Sequence, residues 1–272
     1  MRAQVDRARD WLPVRCLLRF RAVNGRDRAF VLAGQAFTTV IPLLIVVGAL
    51  ARHDGANLVA DRFNNRFRLT GASAQALAQL FQRPPGTTGT ITLLSLVVLL
   101  PSLVSLTRSL QRTFEDSWSL GPVGVRGTLH GLTGLGLLLA SLLVLSLLVT
   151  ALRPLPAGTV IGLVVRTVAA VGVWLLFQDL LLSRRIAVRR LVPGAVVAGI
   201  GQTTVSVLSA IWMPHMVGRN AERYGAIGVT FALLSWLIVI GFAVALLAAT
   251  SAELGRAAEP GRRAPAGEIT PG

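Results

Sequence analysis

The sequence predicts an all-α polytopic membrane protein with six transmembrane helices and short amphipathic interfacial helices in its first outer loop. Of its 272 residues 53% are hydrophobic and 14% charged, whereas about 25% of the residues of soluble domains are charged. The apolar residues form runs that extend far enough, at about 1.5 Å per residue, to cross a hydrocarbon core about 30 Å thick. The bilayer is therefore the expected solvent.

Six apolar runs are the predicted spans, at about 29–51, 90–107, 129–152, 159–182, 191–213 and 225–249. They divide the chain into three parts. Residues 1–28 form a basic, amphipathic cytoplasmic lead-in, and residues 29–254 form the six-helix membrane domain. Residues 255–272, rich in proline and glycine, form a disordered cytoplasmic tail.

Two segments in the N-terminal third need interpretation: the first apolar run and the long loop after it. A basic start followed by an apolar run also occurs in secretory signals, but the run over 29–51 exceeds the roughly 7–15 residues of a signal's apolar part. We therefore expect a retained helix. In the long outer loop 52–88, Val59, Phe63 and Phe67 recur every four residues, which favours short helices on the membrane surface.

The arginines predict the orientation. With both termini inside, 18 of the 27 basic residues lie on the cytoplasmic side and 8 on the outer side, which is the positive-inside bias. The expected location is the bacterial cytoplasmic (inner) membrane, with both termini in the cytoplasm. The net charge of +15 does not indicate nucleic-acid binding, because the arginines flank apolar spans, where they attract anionic lipid headgroups.

Catalytic motifs are missing from the sequence. Cys16 is the single cysteine, and His53, His130 and His215 have no metal-binding spacing. No P-loop, GxSxG, HExxH or dinucleotide-binding fingerprint occurs. We expect no enzyme activity, no metal and no cofactor.

Polar residues inside the spans are the candidate binding residues. Arg166 lies about seven residues into the fourth span, or roughly 10 Å deep. It either binds an anionic substrate group inside the bundle or extends to the outer headgroups. Gln35 and Gln202 either join it at a substrate or hydrogen-bond across helices as structural contacts. A transporter would need a polar cavity that reaches Arg166 and one of these glutamines.

Asp179 lies in the same span as Arg166 but about 20 Å away, so the two cannot pair. It either couples transport to an ion or is neutralised by Arg184 or Arg185. Pro42 and Pro101 favour kinks, which occur both in ordinary helices and in transporters. Gly194 belongs to a set of small residues that allow close helix packing.

Four segments, taken in order, resemble the YihY/BrkB family of bacterial inner-membrane proteins. The first is the opening span with Pro42, and the last contains Tyr224, Gly225, Trp236 and Glu253. The segments are RAFVLAGQAFTTVIPLLIVVGAL (28–50), SLTRSLQRTFEDSWSL (105–120), VRRLVPGAVVAGIG (188–201) and ERYGAIGVTFALLSWLIVIGFAVALLAATSAEL (222–254).

The resemblance implies a six-helix envelope protein, with a transporter or flippase of a lipid or other amphiphile as the first interpretation. A non-transporting scaffold for envelope integrity is the alternative. Membrane lipids are the expected partners, and a homo-oligomer is compatible with either interpretation. The family has also carried a tRNA-processing ribonuclease label, which the absence of clustered carboxylates or histidines in the sequence argues against.

Overall fold

A computed structural model of the chain describes residues 11–50, 89–152 and 158–258, and its regular elements are all α-helices. The predicted all-α class is therefore confirmed. The interfacial helices expected within 52–88 lie outside the described residues, as does the predicted tail 255–272 from residue 259 onward; residues 255–257 belong to the last helix. The helices are α1 (Leu12–Ala22), α2 (Gly25–Leu50), α3 (Gly89–Ser117), α4 (Val125–Leu152), α5 (Gly158–Leu181) and α6 (Val188–Ala257).

Part of the lead-in is the helix α1. It begins after Trp11 with Pro13 in its first turn, where a missing backbone N–H has no cost. A turn at Asn24, with a φ of 52°, separates it from α2, and asparagine tolerates this left-handed conformation well. The helix of the first predicted span thus begins at Gly25, four residues before the predicted boundary.

The 70 residues of α6 do not form one straight helix, which would be about 105 Å long. Gly225 breaks it with a φ of 59° and a ψ of −138°. The first limb, 188–224, and the second limb, 226–257, then pack antiparallel. A Cβ added at Gly194 would lie 2.0 Å from the Ser251 Oγ, and one at Gly255 would lie 2.7 Å from the Arg190 carbonyl oxygen.

Four segments of the described residues are long and apolar enough to cross a membrane. The two limbs of α6 supply two of these segments, which correspond to the predicted fifth and sixth spans. The predicted first and third spans fall in α2 and α4, where membrane crossing remains a prediction. The chain is thus a multi-pass membrane protein, with candidate spans at Leu94–Ser117, Val164–Leu181, Val188–Ser209 and Ile227–Ala257.

The best-packed core lies near the end of the bundle where α3 and α5 end. Phe114, Phe177, Leu181, Leu182 and Leu191 are buried there. The rings of Phe114 and Phe177 meet edge to face, with centroids 6.5 Å apart, a favoured aromatic geometry. Many apolar side chains point outward instead, as expected where lipid replaces water as the surrounding solvent.

Replacing Gly225 by alanine tests the reversal of α6. A Cβ there would touch nothing within 4 Å, so the cost is that of the backbone conformation alone. We expect a loss of about 1–3 kcal/mol of stability, measured as a lower midpoint of thermal unfolding in detergent. Gly218→Ala is the control, because Gly218 has equal space in the first limb without a positive φ. Equal losses of stability in the two variants would contradict the assignment of the reversal to Gly225.

Candidate functional site: a polar helix interface beside an apolar crevice

Three pairs of polar side chains cross the interface between α5 and the first limb of α6, and we call them the polar row. They bring Arg166 and Gln202 into the same interface. Their strength in a bilayer is about 0.6–2 kcal/mol each. The pairs are Arg166 Nη2 donating to Ser206 Oγ at 2.5 Å, Thr167 Oγ1 with Thr203 Oγ1 at 3.2 Å, and Trp174 Nε1 donating to Gln202 Oε1.

Small residues make this interface possible. A Cβ added at Gly199 would lie 2.9 Å from the backbone nitrogen of Val171. Ala170, Ala195 and Ala198 are buried. Side chains of this size let two helix backbones approach closely, so the short hydroxyl groups of Thr167 and Thr203 can meet.

An apolar crevice of about 170 Å³ lies beside the polar row. Side chains from α2, α3, α4, α5 and the second limb of α6 line it. Trp174 joins the two features, because it lines the crevice while its indole N–H belongs to the polar row. The other lining residues include Leu32, Leu106, Leu138, Phe177 and Ile240.

The predicted binding residues are thus only partly brought together. Arg166 and Gln202 share the polar row, whereas Gln35 lies on α2 beside Ala36, which lines the crevice. The buried Gln35 Oε1 has no hydrogen-bond partner among the described residues. None of the three lines the crevice. The cavity at this place is therefore apolar, unlike the polar cavity that the sequence led us to expect.

Asp179 lies at the other end of α5 and is half-buried. Its Oδ2 is 3.6 Å from the Nε of Arg184, an exposed side chain. Of the two arginines considered for this pairing, Arg184 makes it and Arg185 pairs elsewhere. This geometry favours neutralisation of Asp179 over a role in ion coupling.

A second polar group surrounds the C-terminal turn of α3, and we call it the arginine clasp. Glu115 and Asp116 lie in this turn, where the negative end of the helix dipole disfavours acidic residues. Arg185 pairs with Glu115, whose side chain is only 3% exposed, and Arg28 pairs with Asp116. These pairs offset the local excess of negative charge.

Two further arginines bind the last carbonyl groups of α3. Arg19 donates to the Ser117 carbonyl oxygen at 2.7 and 2.9 Å and to that of Asp116 at 3.0 Å. Arg256 donates to Ser117 at 3.0 Å. Burial and the nearby charge of Arg256 lower the pKa of Arg19 from its usual value. The free carbonyls of a helix end thereby gain partners.

Glu253 completes the clasp. It accepts from Arg15 at 2.9 Å and from Arg256 at 2.8 Å. The clasp therefore brings the lead-in, the end of α3, the segment after α5 and the end of α6 to one end of the bundle. The predicted topology places the same four segments on the cytoplasmic side, and that orientation remains a prediction.

The other residues of the family-like motifs have varied surroundings. Pro42 is buried in α2, and Pro101 is exposed within α3, which continues through it. Tyr224 is exposed and Trp236 half-buried. Among the described residues no three His, Cys, Asp or Glu side chains are grouped to hold a metal ion.

Reasoning from the sequence did not identify Glu115, Arg185 or Arg19 as linked residues. The available signal was the acidic pair at positions 115–116, at the end of an apolar span in an otherwise basic region. The side-chain partners of this acidic pair, Arg185 and Arg28, lie 70 and 88 positions away along the chain.

The comparisons agree with the resemblance in the sequence. A family model described as "Virulence factor BrkB" matches residues 16–269. Comparison with curated proteins and with solved structures gave no match.

Replacing Arg185 by alanine should destabilise the protein by about 2–3 kcal/mol, because it leaves the buried Glu115 carboxylate without its cation. Thermal unfolding in detergent measures the loss. Adding Glu115→Gln should restore part of the stability by removing the unpaired charge, while the bonds of Arg185 to the Gly121 and Leu182 carbonyl oxygens stay lost. Arg184→Ala is the control and should cost no more than about 1 kcal/mol, because the Arg184 side chain is 69% exposed and its contact with Asp179, at 3.6 Å, is longer than a hydrogen bond. If Glu115→Gln restored no stability to the Arg185→Ala variant, the pairing of Arg185 with Glu115 would be contradicted.

Proposed function

Because the chain belongs to the virulence factor BrkB family, we propose that it is a bacterial inner-membrane transporter or flippase of a lipid or other amphiphile. The observation that carries this proposal is the apolar crevice beside the polar row, with Trp174 common to both. An amphiphile has one apolar and one polar part. The crevice would receive the apolar part, and the neighbouring polar row would receive the polar part.

The crevice suits part of an acyl chain by its polarity. Its lining residues offer no hydrogen-bonding side chain except the indole of Trp174, so a hydrocarbon tail loses no polar contact there. Lipid tails are already in an apolar environment, however, and gain little by moving from the bilayer into the crevice. Selective binding must therefore come from the polar part of the substrate.

Arg166 is the group that would bind that polar part. A guanidinium makes strong, charge-assisted bonds to phosphate and carboxylate oxygens. In the structure it is half-buried and donates to Ser206, and an anionic headgroup would offer it a stronger acceptor than this hydroxyl. A basic side chain at membrane depth usually has a functional role.

The alternative function, a non-transporting scaffold for envelope integrity, draws support from the arginine clasp. The clasp ties both ends of the described chain to α3 through Arg19 and Arg256, and to each other through the bond of Arg15 to Glu253. A rigid end is useful to a scaffold. It is equally compatible with a transporter in which this end stays fixed.

Filling the crevice tests transport. Leu138→Trp places a larger side chain in the crevice, and Leu137→Trp puts the same side chain on the exposed neighbouring position of α4. In proteoliposomes containing a fluorescent phospholipid, dithionite reports movement between leaflets. We expect Leu138→Trp to slow this movement at least fivefold and Leu137→Trp to leave it unchanged. No movement with the wild-type protein would favour the scaffold.

Lipids copurified with the protein test the role of Arg166. Mass spectrometry should show anionic lipids enriched with the wild-type chain and at least severalfold depleted with Arg166→Ala, while Arg166→Lys retains part of the enrichment because it keeps the charge. Ser206→Ala is the control for loss of the internal hydrogen bond alone. Equal lipid content in the wild type and Arg166→Ala would exclude headgroup binding by Arg166.

A further inference from the structure

α1 exposes apolar side chains on the face that points away from the rest of the protein. Leu17 and Leu18 on this face are 55% and 46% exposed, and Trp11, directly before the helix, is 69% exposed. Arg15 and Arg19, four positions apart and so on one face, turn inward to the arginine clasp. A helix on a water-soluble protein has the opposite arrangement.

The inward face of α1 is firmly attached. Besides the bonds of Arg15 to Glu253 and of Arg19 to the end of α3, Cys16 is buried. The ring of Phe20 packs on that of Phe242, with centroids 6.3 Å apart. The exposure of the outer face is therefore a fixed feature of the fold rather than the result of a loosely held helix.

The residues that follow α1 along the chain indicate what covers its exposed apolar face. Only two residues separate α1 from α2, and the exposed Phe30 and Val31 follow within two turns. Those two side chains lie at the start of the first predicted span. The apolar face of α1 is thus adjacent, along the chain, to a surface expected to contact lipid. Arg21, also exposed and lying between Leu17 and Leu18 around the helix, adds a positive charge.

We propose that α1 is an interfacial helix whose outer face inserts into the anionic headgroup region of the protein's own bilayer. Trp11, Leu17 and Leu18 enter the boundary between headgroups and acyl chains, while Arg21 attracts the anionic headgroups. Amphipathic helices of this kind bury their apolar face about 5–10 Å into the boundary. Aromatic and basic side chains are both common at this depth. The proposal does not depend on transport.

Site-specific quenching tests this position. In a Cys16→Ser background, Leu18→Cys and Ala258→Cys each receive a fluorophore, and the full-length proteins are reconstituted in phosphatidylcholine vesicles with brominated lipids. Ala258 is the matched control, because it is exposed at the same end of the bundle, just after α6. We expect lipid quenching at position 18 at least twice as strong as at 258, increasing further with phosphatidylglycerol. Leu17→Cys provides a second site if Leu18→Cys does not fold.

Two results would overturn the proposal. Equal quenching of positions 18 and 258 by the water-soluble ion iodide would show that the face of α1 is in water. Energy transfer between labels at position 18 on different molecules, persisting at high lipid dilution, would show that a second copy of the chain covers the face.

Discussion

The C-terminal end of α3 is the constraint on which the arrangement of the bundle depends. A helix ends with unpaired carbonyl groups and a partial negative charge, and here Glu115 and Asp116 add two carboxylates to that end. α3 itself has no basic residue in its last turn. The compensating guanidinium groups come from α1, from the start of α2, from the segment after α5 and from the end of α6. The positions of these elements therefore follow from one helix terminus.

Glycine and polar contacts determine the rest of the packing, because lipid provides little hydrophobic drive between helices. Gly194 and Gly199 bring the first limb of α6 against Ser251 and Val171. That proximity aligns the polar row. The crevice is lined by larger side chains, among them Trp174, Leu106, Leu138 and Phe177.

The sequence was sufficient to predict the helical class and the family, because each membrane helix satisfies its own backbone and needs a long apolar run. It located helix ends less well. α2 starts before the predicted span, since the basic residues at 26 and 28 form helix as readily as the apolar residues after them. The reversal of α6 at Gly225 coincides with the predicted start of the sixth span, but the residues between 213 and 225, expected to be a loop, are helical, because hydropathy does not report where the backbone turns.

The site was predicted less completely than the fold. Arg166 stood out because a charge in a span is rare, but nothing in the sequence indicates that Ser206 receives its hydrogen bond. The pairing of Glu115 with Arg185 depends on how the end of α3 packs against the segment after α5. Likewise, Gln35 is on the helix beside the crevice, yet its position on that helix keeps it out of the lining.

The arginine clasp also has a consequence for the order of assembly. Arg15 and Glu253 are 238 positions apart, and chains generally fold from the N-terminus as they are synthesised. The first helix must wait for the last one before its guanidinium finds this carboxylate. Until then the α3 terminus also lacks Arg256, so its full set of partners forms only once the end of α6 has been made. A protein truncated before Glu253 would keep the contact of Phe20 with Phe242 but lose the charged link between its first described helix and its last.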